Sequence, residues 1–163
     1  MPSIPRALVD EMIAHAREGL PNEACGVVHA VDGAPVAVHR VTNEAASPFR
    51  YVMAPLEQLK LDRRRDRPQR RRIPRGQPGA GRFAPGLVNE TLWAIYHSHV
   101  ASEARPSATD VRMAFWPPGE TDGMLMYPET LYIVVSLTEE PPPVRAFHIR
   151  EGGVVEEAPL EVV

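Results

Sequence analysis

Near residue 100 the chain carries a group of residues whose types can bind a metal ion. His97 and His99 are separated by one residue, and Ser107 and Asp110 follow them closely. The apolar and aromatic residues 91–96 predict a strand that runs into His97, and alternate residues of a strand share a face. Asp110 falls in the first turn of the next predicted helix and can supply an oxygen. Two histidines and a carboxylate can form a catalytic zinc site, in which the pKa of bound water drops to about 7.

Each of these residues also has an ordinary structural explanation. Ser107 and Asp110 fit a variant helix-capping box after Pro106, and the helix dipole favours an aspartate at this position. The two histidines could be ordinary strand residues. That explanation gives no reason for both histidines to lie beside the start of the helix. We therefore favour a metal site for the four residues together.

A glutamate far upstream extends the pattern into a family signature. Glu23 lies in the run PNEACGVV, and with the spacing His97-x-His99-x7-Ser107-x2-Asp110 it resembles the signature of the JAMM (MPN-plus) zinc metalloproteases. The runs TNEAASPFRYVMAPLEQLKL and HSHVASEARPSATDVRMA are most similar to the prokaryotic Mec branch. This resemblance covers nearly all of the chain outside residues 67–89. The glutamate segment favours a protease over the RadC-type branch, which shares a similar histidine and aspartate run.

The resemblance implies a role for each of these residues. By position, His97, His99 and Asp110 match the ligands of Zn²⁺. Glu23 matches the general acid/base, which takes a proton from water and gives one to the leaving amine. Ser107 matches the residue that hydrogen-bonds the developing oxyanion.

The resemblance also implies a fold and a substrate. The implied fold is α+β, with a curved mixed β-sheet flanked by helices, as in the JAMM/MPN and cytidine-deaminase-like architecture. The implied partner is a small ubiquitin-fold sulfur-carrier protein with a C-terminal Gly-Gly. Enzymes of this branch cleave the amide bond after the last glycine of the carrier CysO and release cysteine. Two alternatives stay open: a deubiquitinase-like isopeptidase acting on other ubiquitin-like conjugates, and a non-catalytic MPN interaction module.

Two residues near the signature carry their own expectations. Val100 stands where many family members have proline, which we expect to alter the loop and not the metal site. Cys25 lies two residues after Glu23. We expect a buried strand residue there rather than a catalytic thiol, although its side chain could line the site.

The elements that must position the signature are predicted from periodicity and from turn residues. We expect helices from Pro5 to before Pro21, over 55–65 and over 108–115. Predicted strands cover 25–30, 35–41, 49–53, 91–96, 131–137, 144–150 and a last short stretch at 154–155. Residues 67–89 are rich in arginine, proline and glycine and lack apolar periodicity, so we expect a mobile surface loop there.

Composition limits the class of protein. A length of 163 residues suits one domain over 1–163. One cysteine excludes an internal disulfide. No stretch approaches the roughly 20 apolar residues of a membrane helix, and the N-terminus lacks the apolar region of a signal peptide. We therefore expect a cytoplasmic protein with no membrane partner.

The net charge of −3 conceals an uneven distribution. Residues 62–82 contain nine arginines and two aspartates, a balance of +7, and the rest of the chain has nine basic and 19 acidic residues, a balance of −10. The basic block is most simply a solvated loop, and a docking surface for an acidic carrier is the second interpretation. Phe83 is its one aromatic neighbour, so stacking platforms for bases are absent and we expect no nucleic-acid partner.

Overall fold

The computed structural model describes residues 1–65, 69–72, 83–88 and 90–163, with side chains described for 1–61 and 91–163. The helices are α1 (Arg6–Glu18), α2 (Pro55–Arg65) and α3 (Ala108–Met113). The strands are β1 (Ser3–Ile4), β2 (Cys25–Val31), β3 (Ala34–Val41), β4 (Gln69–Arg72), β5 (Phe83–Val88), β6 (Glu90–His99), β7 (Phe115–Trp116), β8 (Met124–Leu125), β9 (Leu131–Ser136), β10 (Val144–Ile149), β11 (Val155–Ala158) and β12 (Glu161–Val162).

A six-stranded sheet in the order β11-β10-β9-β6-β2-β3 forms the centre of the described chain. The pairing of β6 with β9 is parallel, and the other pairings in this sheet are antiparallel. The sheet is therefore mixed, and the predicted α+β fold class is confirmed. The predicted hairpins of β2 with β3 and of β9 with β10 are also confirmed.

Strand β6 separates two apolar cores because its side chains alternate between the two faces of the sheet. Ala94 and Tyr96 belong to the core that contains α1, and Ile95 belongs to the core that contains α3. Helices α1 and α3 thus lie on opposite faces of the sheet. By the same alternation, His97 and His99 fall on the face of Ile95, next to α3.

Helix α1 confirms the first predicted helix. Its N-cap is Pro5, and the helix ends at Glu18 with Gly19 as its C-cap, before Pro21. Val9, Met12 and Ala16 lie at helical spacing and are 2% exposed or less. Complete burial of side chains such as Val9 and Met12 contributes about 1.5–3 kcal/mol each, so this face holds the helix against the sheet.

One predicted strand and one predicted helix end were wrong. Residues 49–53 form no strand: Met53 makes one isolated bridge to Asn43, and the amide of Val52 donates to the side chain of Asn43 instead of to a neighbouring strand. Helix α3 stops at Met113, two residues before the predicted end, because Phe115–Trp116 pair with Met124–Leu125 as β7 and β8.

The segment predicted as a loop over 67–89 contains two strands in its described parts. Strands β4 and β5 pair with each other in an antiparallel arrangement. Apolar periodicity reports burial and not backbone pairing, which is why the sequence gives no sign of them. The rest of the predicted loop lies outside the described residues. The parallel pair of β1 and β12 was also not predicted.

Within the described residues, none of the helices is long and apolar enough to span a membrane.

Candidate metal centre

The three predicted metal ligands converge at the C-terminal end of β6. The Nε2 atoms of His97 and His99 are 3.1 Å apart. Asp110 Oδ2 lies 3.2 Å from His97 Nε2 and 3.3 Å from His99 Nε2. All three side chains are buried. Three electron-rich atoms therefore meet at one point on the α3 face of the sheet.

The spacing of these atoms suits a tetrahedral metal ion. Zinc binds histidine nitrogen and carboxylate oxygen at about 2.0–2.2 Å, and ligands at that distance from a tetrahedral centre are separated by about 3.3–3.6 Å. The three observed distances lie at or just below the lower end of this range. His97, His99 and Asp110 can thus hold one metal ion together, and the chemistry of the donor set fits zinc.

The tautomer of the neutral His99 ring is fixed by the partner of its Nδ1 atom. Nδ1 of His99 lies 2.8 Å from the backbone carbonyl oxygen of Glu103. A carbonyl can only accept, so Nδ1 donates the hydrogen, and in the neutral ring Nε2 presents a lone pair to the centre. Metal-binding histidines usually have such an outer partner. Burial lowers the pKa of His99, but Asp110 and the Glu103 carbonyl outweigh it and raise the pKa.

Asp110 is held by the start of α3. Ser107 is the N-cap: its Oγ accepts from the amide of Asp110 at 3.2 Å, and its own amide donates to Asp110 Oδ2 at 2.7 Å. The capping box considered from the sequence is therefore present, and it serves the site because it fixes the carboxylate. Burial raises the pKa of Asp110, but the adjacent rings of His97 and His99 and the amide of Ser107 hold it well below its usual range.

Glu23 reaches the centre through strand pairing, although 74 residues separate it from His97. Cys25 is the direct partner of His97 in the pairing of β2 with β6. The pairing continues one residue further toward Glu23: the amide of Ala24 donates to Ser98 Oγ at 2.8 Å, and the amide of Ser98 donates to the carbonyl of Ala24 at 2.9 Å. Ser98, between the two histidines, thus anchors the backbone beside Glu23.

The carboxyl group of Glu23 is buried and electrostatically linked to the triad. The residue is 5% exposed, and its Oε2 has no hydrogen-bond partner within the described chain. Burial is the main cause that raises its pKa to about 7, with Asp110 adding to the shift and His99 opposing it. A carboxyl group with a pKa near neutrality can both take and give a proton at physiological pH.

The loop after β3 fixes the backbone of Glu23 from the other side. Asn43 Nδ2 donates to the carbonyl of Glu23 at 2.9 Å and to that of Arg50 at 3.2 Å. Asn43 Oδ1 accepts from the amides of Ala45 and Val52. The amide of Glu23 donates to the carbonyl of Ser47 at 2.9 Å. Both backbone polar groups of Glu23 are thus bonded to this loop.

The same loop places an aromatic ring against a candidate metal ligand. The ring of Tyr51 stacks on that of His97, with centroids 4.5 Å apart and an interplanar angle of 23°. His97 Nδ1 is buried and has no hydrogen-bond partner in the described residues. Packing by Tyr51, rather than an outer hydrogen bond, therefore restricts the orientation of this ring.

Cys25 is a buried structural residue, as expected. It is completely inaccessible to solvent, and its Sγ donates to the carbonyl of Val41 at 3.5 Å. Burial, and to a smaller extent the charges of Glu57 and Glu23, raise the pKa of the thiol to about 12. Because the thiolate is the reactive form, this side chain is not a nucleophile at neutral pH.

The structure brings together the three residues predicted to bind metal, with Ser107 at the start of α3 and Glu23 just before the start of β2. Sequence reasoning did not identify the supporting residues Asn43, Tyr51, Ser98 and Glu103. Ser98 could have been found from its place between two same-face histidines, which points it to the opposite face. The sequence carries no comparable signal for Asn43 or Tyr51, because irregular loops have no periodicity.

Known proteins share this sequence pattern and fold. The model of the Prok-JAB family, described as prokaryotic homologs of the JAB domain, matches residues 5–150. The CysO-cysteine peptidase of Mycobacterium tuberculosis is 35% identical over 160 residues, which cover 96% of this chain and 87% of that protein. The desampylase of Haloferax volcanii is 35% identical over 115 residues, which cover 66% of this chain and 68% of that protein.

Solved structures agree with the family match. Protein DSY2949 from Desulfitobacterium hafniense aligns with 100% of this chain and 93% of its own, with a TM-score of 0.70 and 29% identity. A structure described as a JAMM metalloprotease-like zinc site in the proteasome and signalosome aligns with a TM-score of 0.51 at 16% identity, covering 100% of this chain and 98% of its own. This second likeness concerns the fold alone. The chain therefore belongs to the Prok-JAB family and is a homologue of the JAMM-type metallopeptidases.

Proposed function

We propose that this protein is a zinc-dependent hydrolase that cleaves the amide bond after the C-terminal glycine of a ubiquitin-like sulfur carrier and releases cysteine. The observation that carries the proposal is the convergence of His97, His99 and Asp110 beside the buried carboxyl group of Glu23. Three ligands of this kind leave a coordination position open for water or substrate, as catalytic zinc sites do. A purely structural site would be closed by a fourth protein ligand.

His97, His99 and Asp110 would hold the zinc ion. When bound, zinc supplies Lewis-acid chemistry, because it polarises a carbonyl oxygen and lowers the pKa of coordinated water to about 7. The protein keeps the three ligand atoms in place through the Glu103 carbonyl on His99, the Tyr51 ring on His97 and the Ser107 amide on Asp110.

Glu23 is the proposed general acid/base. Its carboxylate takes a proton from the attacking water and then delivers a proton to the nitrogen of the leaving amine. A free Oε2 and a pKa raised to about 7 by burial support both steps. The hydrogen bond from the Asn43 side chain to the Glu23 carbonyl and that from the Glu23 amide to the Ser47 carbonyl keep this backbone fixed while the proton moves.

Ser107 is the proposed donor to the developing oxyanion. Its Oγ already accepts the capping bond from the amide of Asp110. A hydroxyl group has one hydrogen besides its lone pairs, so the capping bond does not use the donor. Removal of a comparable oxyanion donor costs about 2.7–4 kcal/mol in the reaction barrier.

The proposed substrate is supported by the CysO-cysteine peptidase relative, which matches 96% of this chain. The desampylase relative supports a second candidate, in which the same centre cleaves isopeptide bonds of ubiquitin-like conjugates. Its match spans 66% of the chain, and we therefore place cleavage of a carrier–cysteine adduct first. The chemistry at the centre is the same for both substrates, which differ in the leaving amine.

The test is incubation of the zinc-loaded protein with two substrates, each with and without a chelator. One substrate is CysO extended by a single C-terminal cysteine, and the other is CysO joined through its last glycine to a lysine side chain. Intact-mass spectrometry reads the products. We expect chelator-sensitive loss of cysteine from the first substrate, at a higher kcat/KM than cleavage of the second.

Three other outcomes are informative. Faster cleavage of the lysine conjugate would establish the isopeptidase candidate. Binding of both substrates without cleavage would indicate a non-catalytic MPN module. Cleavage that resists a chelator able to remove the zinc would contradict the proposed chemistry.

A further inference from the structure

A cavity of about 140 Å³ lies on the metal-binding face of the sheet. Its ten described lining residues come from the loop after β3, helix α2, strand β6, the end of α3, the segment after β8 and strand β9. They are Tyr51, Val52, Met53, Gln58, Ile95, Met113, Ala114, Met126, Tyr127 and Tyr132. Met113 and Met126 are 39% and 38% exposed, so the cavity has an accessible rim.

The cavity is next to the metal centre. Ile95 lies two residues before His97 on the same face of β6, a separation of about 6.6 Å along a strand. Tyr132 is the partner of Ile95 on β9 and extends the cavity floor across the sheet. The ring of Tyr51 lines the cavity and also stacks on His97. Tyr51 is thus the wall that the cavity shares with the metal centre.

The lining has an unusual chemistry for so small a space. Three of the six methionines and three of the four tyrosines of the chain line it. None of its ten described residues carries a charge. The hydroxyl group of Tyr132 is buried without a hydrogen-bond partner in the described structure, whereas Gln58 Nε2 donates to the hydroxyl of Tyr127 at 2.9 Å.

We propose that this cavity binds the side chain of the residue released by the reaction and selects an uncharged, sulfur-containing or apolar side chain. The inference rests on the proposed function, because it concerns the leaving group of that reaction. Thioethers and aromatic rings make favourable contacts with sulfur. A charged side chain would lose its hydration there without gaining an ion pair.

The position of the cavity fits the released residue better than the carrier tail. In the proposed substrate the two residues before the cleaved bond are glycines, which have no side chain to place. The Cα of the released residue is two bonds beyond the reacting carbonyl carbon, within about 2.5 Å. The cavity begins at Ile95, two residues from His97 along β6. The side chain of the released residue is therefore the substrate side chain nearest to the cleaved bond that can enter it.

The size of the cavity sets an upper limit on the side chain. An apolar cavity of about 150 Å³ takes a molecule as large as benzene. The cavity therefore admits side chains up to the size of methionine, and cysteine enters with space remaining. The Tyr132 hydroxyl would gain its missing partner from a thiol or thioether sulfur, which is a weak acceptor.

The experiment compares CysO carriers extended after Gly-Gly by one residue: cysteine, methionine, serine or aspartate. The kcat/KM of the zinc-loaded protein is measured for each. The Kd of each adduct is also measured with Glu23→Gln, whose turnover we expect to be about 10²–10⁴-fold slower, so that binding is complete before cleavage. We expect the cysteine and methionine adducts to exceed the aspartate adduct at least tenfold in kcat/KM and at least fivefold in affinity, with serine between them.

A matched pair of variants tests the cavity itself. Met126→Phe narrows the cavity from its rim, at a side chain that is 38% exposed. Met124→Phe alters a methionine that is 66% exposed and does not line the cavity. We expect Met126→Phe to lower the kcat/KM and the affinity for the methionine adduct more than those for the cysteine adduct. The ratio of the methionine value to the cysteine value should fall at least fivefold. Met124→Phe should leave that ratio unchanged.

The outcomes separate this inference from the proposed function. Cleavage of all four adducts at rates within twofold would overturn the cavity proposal and leave the hydrolase intact. The same preference in binding without any cleavage would support the cavity and refute the hydrolase. Equal effects of Met126→Phe and Met124→Phe on the ratio would also overturn the cavity proposal.

Discussion

At the scale of single residues, the proposed mechanism assigns metal binding and proton transfer to different residues. His97, His99 and Asp110 present the candidate ligand atoms, whereas Glu23 lies just before the start of β2, in a different part of the chain. A change at Glu23 should therefore affect the reaction without affecting the metal. A change at a ligand should affect both.

Glu23→Gln should retain zinc and lose turnover. The amide is close in size to the carboxyl group but cannot accept the proton of the attacking water, and general acid–base catalysis contributes about 10²–10⁴-fold. We expect kcat to fall within that range with about one zinc per chain retained, measured by elemental analysis beside the cleavage assay. Turnover close to wild type would remove Glu23 from the mechanism.

His99→Ala should lose the metal. The change removes one of three ligands, and loss of even an outer-shell partner costs about 10–100-fold in metal affinity. We expect zinc to be absent from the variant after dialysis against a mild chelator. His148→Ala, on β10, is the control for loss of a histidine away from the centre. Equal zinc content in the two variants would argue against His99 as a ligand.

At the scale of elements, strand pairing and one irregular loop support the site together. The pairing of β2 with β6 brings Glu23 to the correct end of the sheet, but Ser98 and the loop around Asn43 hold it there. The same loop places Tyr51 against His97. One loop therefore supports both the proposed acid/base residue and a candidate metal ligand.

Asn43→Asp should slow the reaction while zinc content stays near wild type. The carboxylate keeps the acceptor for Ala45 and Val52 but cannot donate to the carbonyls of Glu23 and Arg50. Leaving a buried polar group unsatisfied costs about 1–3 kcal/mol. If that cost appears in the barrier, kcat falls by about 5–150-fold, whereas KM changes little.

The control for this variant is Asn22→Asp, which adds the same charge one residue from Glu23. Its side chain makes no hydrogen bond within the described residues, so only the charge changes. An equal fall in kcat for both variants would mean that charge, and not the lost hydrogen bonds, causes the effect.

The elements differ in how far the sequence could predict them. The clustering of the three candidate metal ligands could be predicted because a strand and the start of the next helix place them within 14 positions. The role of Glu23 came only from family resemblance, because no local spacing relates it to His97. Residues 49–53 were assigned to a strand in error: the carbonyl of Arg50 and the amide of Val52 both bond to the side chain of Asn43, an arrangement that no periodicity reports.

At the scale of the whole molecule, one histidine of α1 makes the free energy of unfolding depend on pH. His15 Nδ1 and the hydroxyl group of the buried Tyr96 are 2.7 Å apart. Burial, followed by the charge of Arg40, lowers the pKa of His15 below its usual 6.5, against the opposing effect of Glu18 and Glu11. The folded protein therefore binds this proton less readily than the unfolded chain.

The sign of the resulting pH dependence follows from linkage. The contribution of His15 to the free energy of unfolding is fully present above pH 6.5, and it is lost as the pH falls through the lower folded-state value. Between about pH 7.5 and about pH 5, urea unfolding of wild type should therefore lose more stability than that of His15→Gln. If the free energy of unfolding falls equally with pH in wild type and in His15→Gln, His15 is not the cause of the pH dependence.

The buried Cys25 has a practical consequence for enzymology. It is the one cysteine of the chain, it is fully inaccessible, and its thiol stays protonated at neutral pH. A chromogenic thiol reagent added to the folded protein should therefore give no background colour from the enzyme. The absorbance that increases with time would then come from cysteine released from the adduct. Product release could therefore be followed continuously by spectrophotometry.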